Sequence, residues 1–127
     1  MQENHLYEYA ILRLVPKVER EEFINVGVIV FSKKVNYLKV KYFLNRNRVD
    51  AFCHELDLDD VEENLKAFKN ISEQHCESSE IAKMETPERF RWLTAVRSSI
   101  IQTSRPHIGF TDDLDQKLDQ LFEEYTS

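Results

Sequence analysis

Residues 24–31 are nearly all apolar and mostly β-branched, with Asn25 and Gly27 the exceptions. A run of this kind is expected of a strand buried on both faces, because a strand with one wet face alternates polar and apolar residues. The chain must therefore supply a layer on each side of that strand. Gly27, in the middle of it, predicts a bulge or a close approach by other backbone.

The neighbouring segments supply partners. Residues 6–15 are rich in Tyr, Ile, Leu and Val and stop at Pro16, which cannot donate to a sheet ladder. Residues 37–44 alternate, with Lys39 and Lys41 on one face and Leu38, Val40, Tyr42 and Leu44 on the other. The five residues from Ser32 to Asn36 are short enough for a hairpin, so a three-stranded antiparallel meander is expected.

Beyond residue 45 the apolar period changes to that of helices. Val49, Phe52, Cys53 and Leu56 recur at three and four, as do Leu58, Val61, Leu65 and Phe68. Asp57 is the expected cap of the second helix, with Asp59, Asp60, Glu62 and Glu63 near its positive end. Residues 73–85 read as a loop of little order. Thr86-Pro87-Glu88 reads as a capping hydroxyl, a proline at the first helical position and an acid, opening a short helix that carries Phe90 and Leu93. Residues 98–103 can return as a strand, and Pro106 and Gly109 suggest an irregular connection. Thr111-Asp112-Asp113 caps a last helix with an apolar stripe of Leu114, Leu118, Leu121, Phe122 and Tyr125. The expected fold class is α+β: an antiparallel sheet of three to five strands with helices packed on it, in a single domain over residues 1–127. Only two Gly and three Pro in 127 residues, with 42% hydrophobic, argue against a disordered chain.

No apolar run approaches the ~20 residues that cross a bilayer. The start, Met1-Gln2-Glu3-Asn4-His5, lacks the basic and apolar regions of a secretory signal. Two cysteines make no disulfide framework, so Cys53 and Cys76 are expected to be reduced and partly buried. A cytosolic protein follows, with no membrane partner.

The net charge of −6 is unevenly spread. Residues 1–50 carry nine basic and six acidic groups, 51–85 three and ten, 86–110 four and one, and 111–127 one and six. The expectation is a polarised domain, with any anion site on the positive parts.

Within 86–110, Arg89, Arg91, Arg97 and Arg105 are mixed with Trp92, Ser98, Ser99, Gln102 and His107. Guanidinium forks beside hydroxyls suit phosphate or carboxylate recognition, and Trp92 can stack a base or pack in the core. The alternative is a set of structural ion pairs to the acidic helices. Arg89 shares a helix face with Leu93, so one arginine is expected to be a structural anchor. A supporting motif, Glu21, Asn25 and Gly27, flanks the central strand; Asn25 with Gly27 could shape a polar notch, and Glu19, Glu21 and Glu22 could pair with the arginines.

Cys53-His54 and His75-Cys76 are adjacent pairs, whose side chains diverge on a helix, so no metal is expected. Ser98 or Ser99 with His107 and Asp112 lacks a nucleophile elbow. Two glycines exclude a Walker loop or a dinucleotide fingerprint. No cofactor is implied and no catalytic residue is assigned.

Two stretches carry a family resemblance: Glu19-Arg20-Glu21-Glu22-Phe23-Ile24-Asn25-Val26-Gly27-Val28-Ile29-Val30-Phe31, and Arg89-Phe90-Arg91-Trp92-Leu93-Thr94-Ala95-Val96-Arg97-Ser98-Ser99-Ile100-Ile101-Gln102, continuing through His107-Ile108-Gly109 to Thr111-Asp112-Asp113. With Tyr7-Glu8-Tyr9-Ala10, the chain resembles a bacterial family known as domain of unknown function 3037. Its members are short stand-alone proteins, and a loose link to genes for HipA-like kinases implies a protein partner of that kind. The expectation is a small non-catalytic binding or adaptor protein, beside such a kinase in a toxin–antitoxin or regulatory pair. The alternative is a phosphate-recognising nucleic-acid or nucleotide-binding protein, with or without enzyme activity, using residues 89–111.

Overall fold

The computed structural model describes residues 4–16, 22–53, 55–74, 80–95 and 100–126. Strand β1 (His5–Leu14) pairs antiparallel with β2 (Ile24–Ser32), which pairs with β3 (Tyr37–Tyr42). The other side of β1 is shared by two short strands: β4 (Ile101–Thr103) on residues 12–14 and β5 (His107–Thr111) on residues 5–9. The order is β3-β2-β1-β4, with β5 also on β1, and every pairing is antiparallel. The expected α+β class holds, with five strands and four helices among the described residues.

The doubly buried run has the predicted consequence. Helices α1 (Arg46–Phe52), α2 (Leu58–Ser72) and α3 (Thr86–Leu93) cover one face, and α4 (Leu114–Thr126) covers the other. Ile29 and Phe31 point to the first core with Val61, Leu65 and Phe90; Val28 and Val30 point to the second with Leu114, Leu118 and Leu121. The Phe31 and Phe90 rings stack at 4.8 Å.

Gly27 is both a bulge and a close approach. Leu12 pairs with Gly27 but Arg13 with Asn25, so Val26 is the extra residue of β2. The insertion resets the alternation: Ile24 and Val26 reach the same core as Ile29 and Phe31. A Cβ on Gly27 would lie 2.5 Å from the Lys41 carbonyl oxygen.

Local signals set the helix starts. Asp57 accepts from the amides of Asp59 and Asp60, Asn45 from Arg48, and Asp113 from Gln116. Thr86 departs from expectation. The cap position of α3 is Glu85, which makes no side-chain cap, and Pro87 lies in the first turn. The Thr86 hydroxyl instead donates to Asn36 Oδ1 and faces Arg89 Nη2, so its tertiary partners replace the capping bond. Within the 73–85 connection, Ala82 is buried and its carbonyl accepts from Gln74 Nε2.

Gly109 is a second departure, since it lies within β5 where an irregular connection was expected. Its lost side chain makes room for Tyr7, whose Oη lies 2.5 Å from where a Cβ would be. The connection itself is Ser104 to Pro106. Ser104 bridges the gap in the ladder: its amide donates to the Ile11 carbonyl at 2.9 Å, and its Oγ accepts from the Ile11 amide at 2.9 Å.

The β3 edge of the sheet is closed by side chains. On β3, the Val40 amide donates to Glu73 Oε2 at 3.0 Å and the Val40 carbonyl accepts from Lys69 Nζ at 2.8 Å. Side chains at the end of α2 thus occupy the edge where another strand would pair.

Candidate functional site

Arg89 is 3% exposed and belongs to the scaffold. Its Nε donates to the Ser72 carbonyl at 2.9 Å and its Nη1 to the Met84 carbonyl at 2.7 Å, with Nη2 3.4 Å from Thr86 Oγ1. Ser72 ends α2, whose last carbonyls have no partner within the helix and form its negative end. Burial lowers the guanidinium pKa, and the helix end compensates with oriented carbonyls. The anchor expected on the Leu93 face is this residue.

Arg91, two positions on, points elsewhere. Its Nη1 and Nη2 donate to Glu8 Oε1 and Oε2, each at 2.9 Å, a bidentate pair that raises the arginine pKa. Glu8 lies on β1, so the acid that meets the motif comes from outside the segment expected to supply it. The pair stands at the wall of a cleft of about 630 Å³, lined by Leu6, Tyr7, Glu8, Phe31, Lys33, Lys34, Arg91 and Ile108. Leu6, Phe31 and Ile108 supply apolar surface, with Leu6 52% and Ile108 70% exposed. Lys33 and Lys34, in the β2–β3 turn, are exposed beside it.

Trp92 and Gln102 come together in a second groove of about 230 Å³ between α2, α3 and β4, with Asn64, Phe68 and Thr103. Trp92 is 37% exposed. Arg105 is exposed where β4 gives way to β5, and the His107 ring packs 5.3 Å from Tyr9. The arginine motif is therefore divided among a buried anchor, a cleft wall and a sheet edge. Arg97, Ser98, Ser99 and Glu21 lie outside the described residues, as do Glu19, His54, His75 and Cys76.

Asn25 and Gly27 do not share a notch. Asn25 pairs with Arg13 on the α4 face, and Gly27 pairs with Leu12 on the other. Asn25 Nδ2 donates to the Tyr125 carbonyl at 3.1 Å. Arg13 lies 4.1 Å over the Phe23 ring.

The charge blocks meet one another. Lys39 pairs with Asp115 at 3.0 Å and Lys41 with Asp119 at 2.9 Å, so acids of α4 lie on the basic face of β3. Arg46 pairs with Asp59 in the same way, at 3.0 Å. Tyr37 Oη donates to Asp115 Oδ1 at 2.7 Å; that bond first, and Lys39 second, hold the carboxyl below its ordinary range. Polarity along the sequence becomes neutralisation across the fold. Cys53 is a half-buried free thiol at the end of α1. Among the described residues no three His, Cys, Asp or Glu side chains converge as metal ligands would, and no helix is long and apolar enough to cross a membrane.

Sequence reasoning missed Leu6, Phe31, Lys33, Lys34 and Ile108 as one surface. The alternation Ile108-Gly109-Phe110 was a strand signal, masked by reading the glycine as a turn.

Fold and surface define a three-layer α+β domain whose Leu6–Ile108 cleft sets apolar side chains beside Lys33, Lys34 and the Arg91–Glu8 pair. The chain belongs to the family described as protein of unknown function, DUF3037, whose model matches residues 9–126. No curated protein and no solved structure matches it.

Proposed function

We propose that the chain is a small non-catalytic binding or adaptor protein that holds a segment of a protein partner in the Leu6–Ile108 cleft. The carrying observation is the lining: exposed apolar Leu6 and Ile108 over buried Phe31, beside Lys33, Lys34 and the Arg91–Glu8 ion pair. Such a surface suits an apolar segment bearing acidic residues, whose side chains meet the lysines while its apolar groups leave water. The partner implied by the family resemblance is a HipA-like kinase in a toxin–antitoxin or regulatory pair. Co-expression of that kinase with the tagged chain tests the reading. Retention by the wild type and loss in Lys33→Glu/Lys34→Glu supports it; equal retention by both, or none by either, overturns it.

A second reading, nucleic-acid binding, draws on Trp92 and Gln102 lining one groove, where the indole could stack a base. Trp92 is the only tryptophan, so its fluorescence reports directly on that groove. Titration with short single-stranded oligonucleotides at two salt concentrations should then give a change that weakens with salt. A flat titration at low salt removes this reading.

A further inference from the structure

β3 and β5, on opposite edges of the sheet, differ in a way that points to a partner for β5. The β3 edge is filled by Lys69 and Glu73 at Val40. Among the described residues no side chain or backbone group bonds to the outer edge of β5, while Ile108 is 70% and Phe110 67% exposed. An open edge carrying large apolar side chains is a template for another strand.

We infer that β5 pairs antiparallel with β5 of a second copy of this chain, about a two-fold axis at Gly109. The sequence around the strand is self-complementary in the one antiparallel register that overlaps all five of its residues. That register sets Gly109 against Gly109, Ile108 against Phe110 and His107 against Thr111. One step beyond the strand on each side it sets Pro106 against Asp112, and then Arg105 against Asp113. Arg105 is exposed, and its guanidinium makes no ion pair among the described residues; the pairing gives it an opposing carboxylate twice, once at each end. Opposed residues of an antiparallel pair share a face, so Ile108 and Phe110 of both copies form one apolar patch, a β-branched–aromatic pairing repeated by symmetry. Among the described residues α4 packs mainly on β2 and β3 and less on β1, and α2 on β3, α3 and β4, away from the outer side of β5. Ile108 belongs to both surfaces, but Phe110 and Arg105 line no part of the cleft, so substitutions at these two test the pairing separately from the proposed binding reading.

Sedimentation equilibrium of the full chain over a range of concentrations tests the pairing. The wild type is expected at twice the mass of one chain. Phe110→Lys, which puts a cation against Ile108 of the other copy, should give single chains, and Arg105→Glu should weaken association at least tenfold. Both side chains are exposed, and unchanged circular dichroism of each variant shows that the fold is intact. A wild type with the mass of one chain at every concentration overturns the inference. So does a dimer that neither substitution weakens.

Discussion

The Arg89 side chain donates to the carbonyl of Ser72, the last residue of α2, across a sequence separation of 17 and a distance of 2.9 Å. One buried guanidinium thereby closes the end of one helix while belonging to another. Its second bond, to Met84, fixes the chain just before α3. Removing it leaves the Ser72 carbonyl without its donor in a buried site and the Met84 carbonyl in a half-buried one. Arg89→Met should cost about 3 kcal/mol in urea unfolding. Arg89→Lys should recover little, because an ammonium lacks the planar fork that reaches both acceptors.

Gly27→Ala sets a methyl group 2.5 Å from the Lys41 carbonyl oxygen and 2.8 Å from Tyr42 Cβ. The obstacle is backbone of a paired strand, so relief requires β2 and β3 to separate. A loss of about 1–3 kcal/mol is expected, read as a lower urea midpoint at unchanged slope.

Ser104→Ala leaves the Ile11 amide without the Oγ that accepts it at 2.9 Å. Ser104 is buried, so water does not freely replace the hydroxyl. The expected loss is about 1–3 kcal/mol. Hydrogen exchange gives the local signature: the Ile11 amide should exchange faster relative to the other amides of β1.

Asp115 sets a pH dependence. Tyr37 Oη and then Lys39 favour its ionised form, so its folded pKa is below the unfolded value of about 3.9. Its contribution is complete above the unfolded value and is lost as pH falls through the folded one. The wild type should exceed Asp115→Asn in stability at neutral pH by less than about 1 kcal/mol, since the pair is largely exposed. That difference should close in acid, as followed by thermal unfolding at a series of pH values. A gap that persists below the folded pKa would contradict the assignment.

The Arg91–Glu8 pair contrasts with Arg89. Both arginines belong to one short helix and one motif, yet one is enclosed by α2 and the other lies at an exposed cleft. Their helical positions distinguished the face shared with Leu93, which is why Arg89 was legible as an anchor. Nothing near Arg91 in the sequence names Glu8, a residue on β1. The cleft was illegible for the same reason. Leu6, Phe31, Lys33 and Ile108 come from three strands and a turn, and only the pairing of Glu8 with both Phe31 and Ile108 makes them neighbours.

The sequence by itself determined what depends on short-range geometry. The unbroken apolar run at 24–31 required two covering layers, alternation at 37–42 assigned Lys39 and Lys41 to one face, and Asp57 and Asp113 began their helices. Each rests on a strand or helix period, or on a side chain reaching an amide two or three residues away. The tertiary structure alone decided which charges meet, that β1 carries β4 and β5 on one side, and that Lys69 and Glu73 close one sheet edge while, among the described residues, nothing bonds to the outer edge of β5. Those outcomes depend on which distant residues the sheet register makes adjacent, and the local periodicity of a single chain does not specify that register.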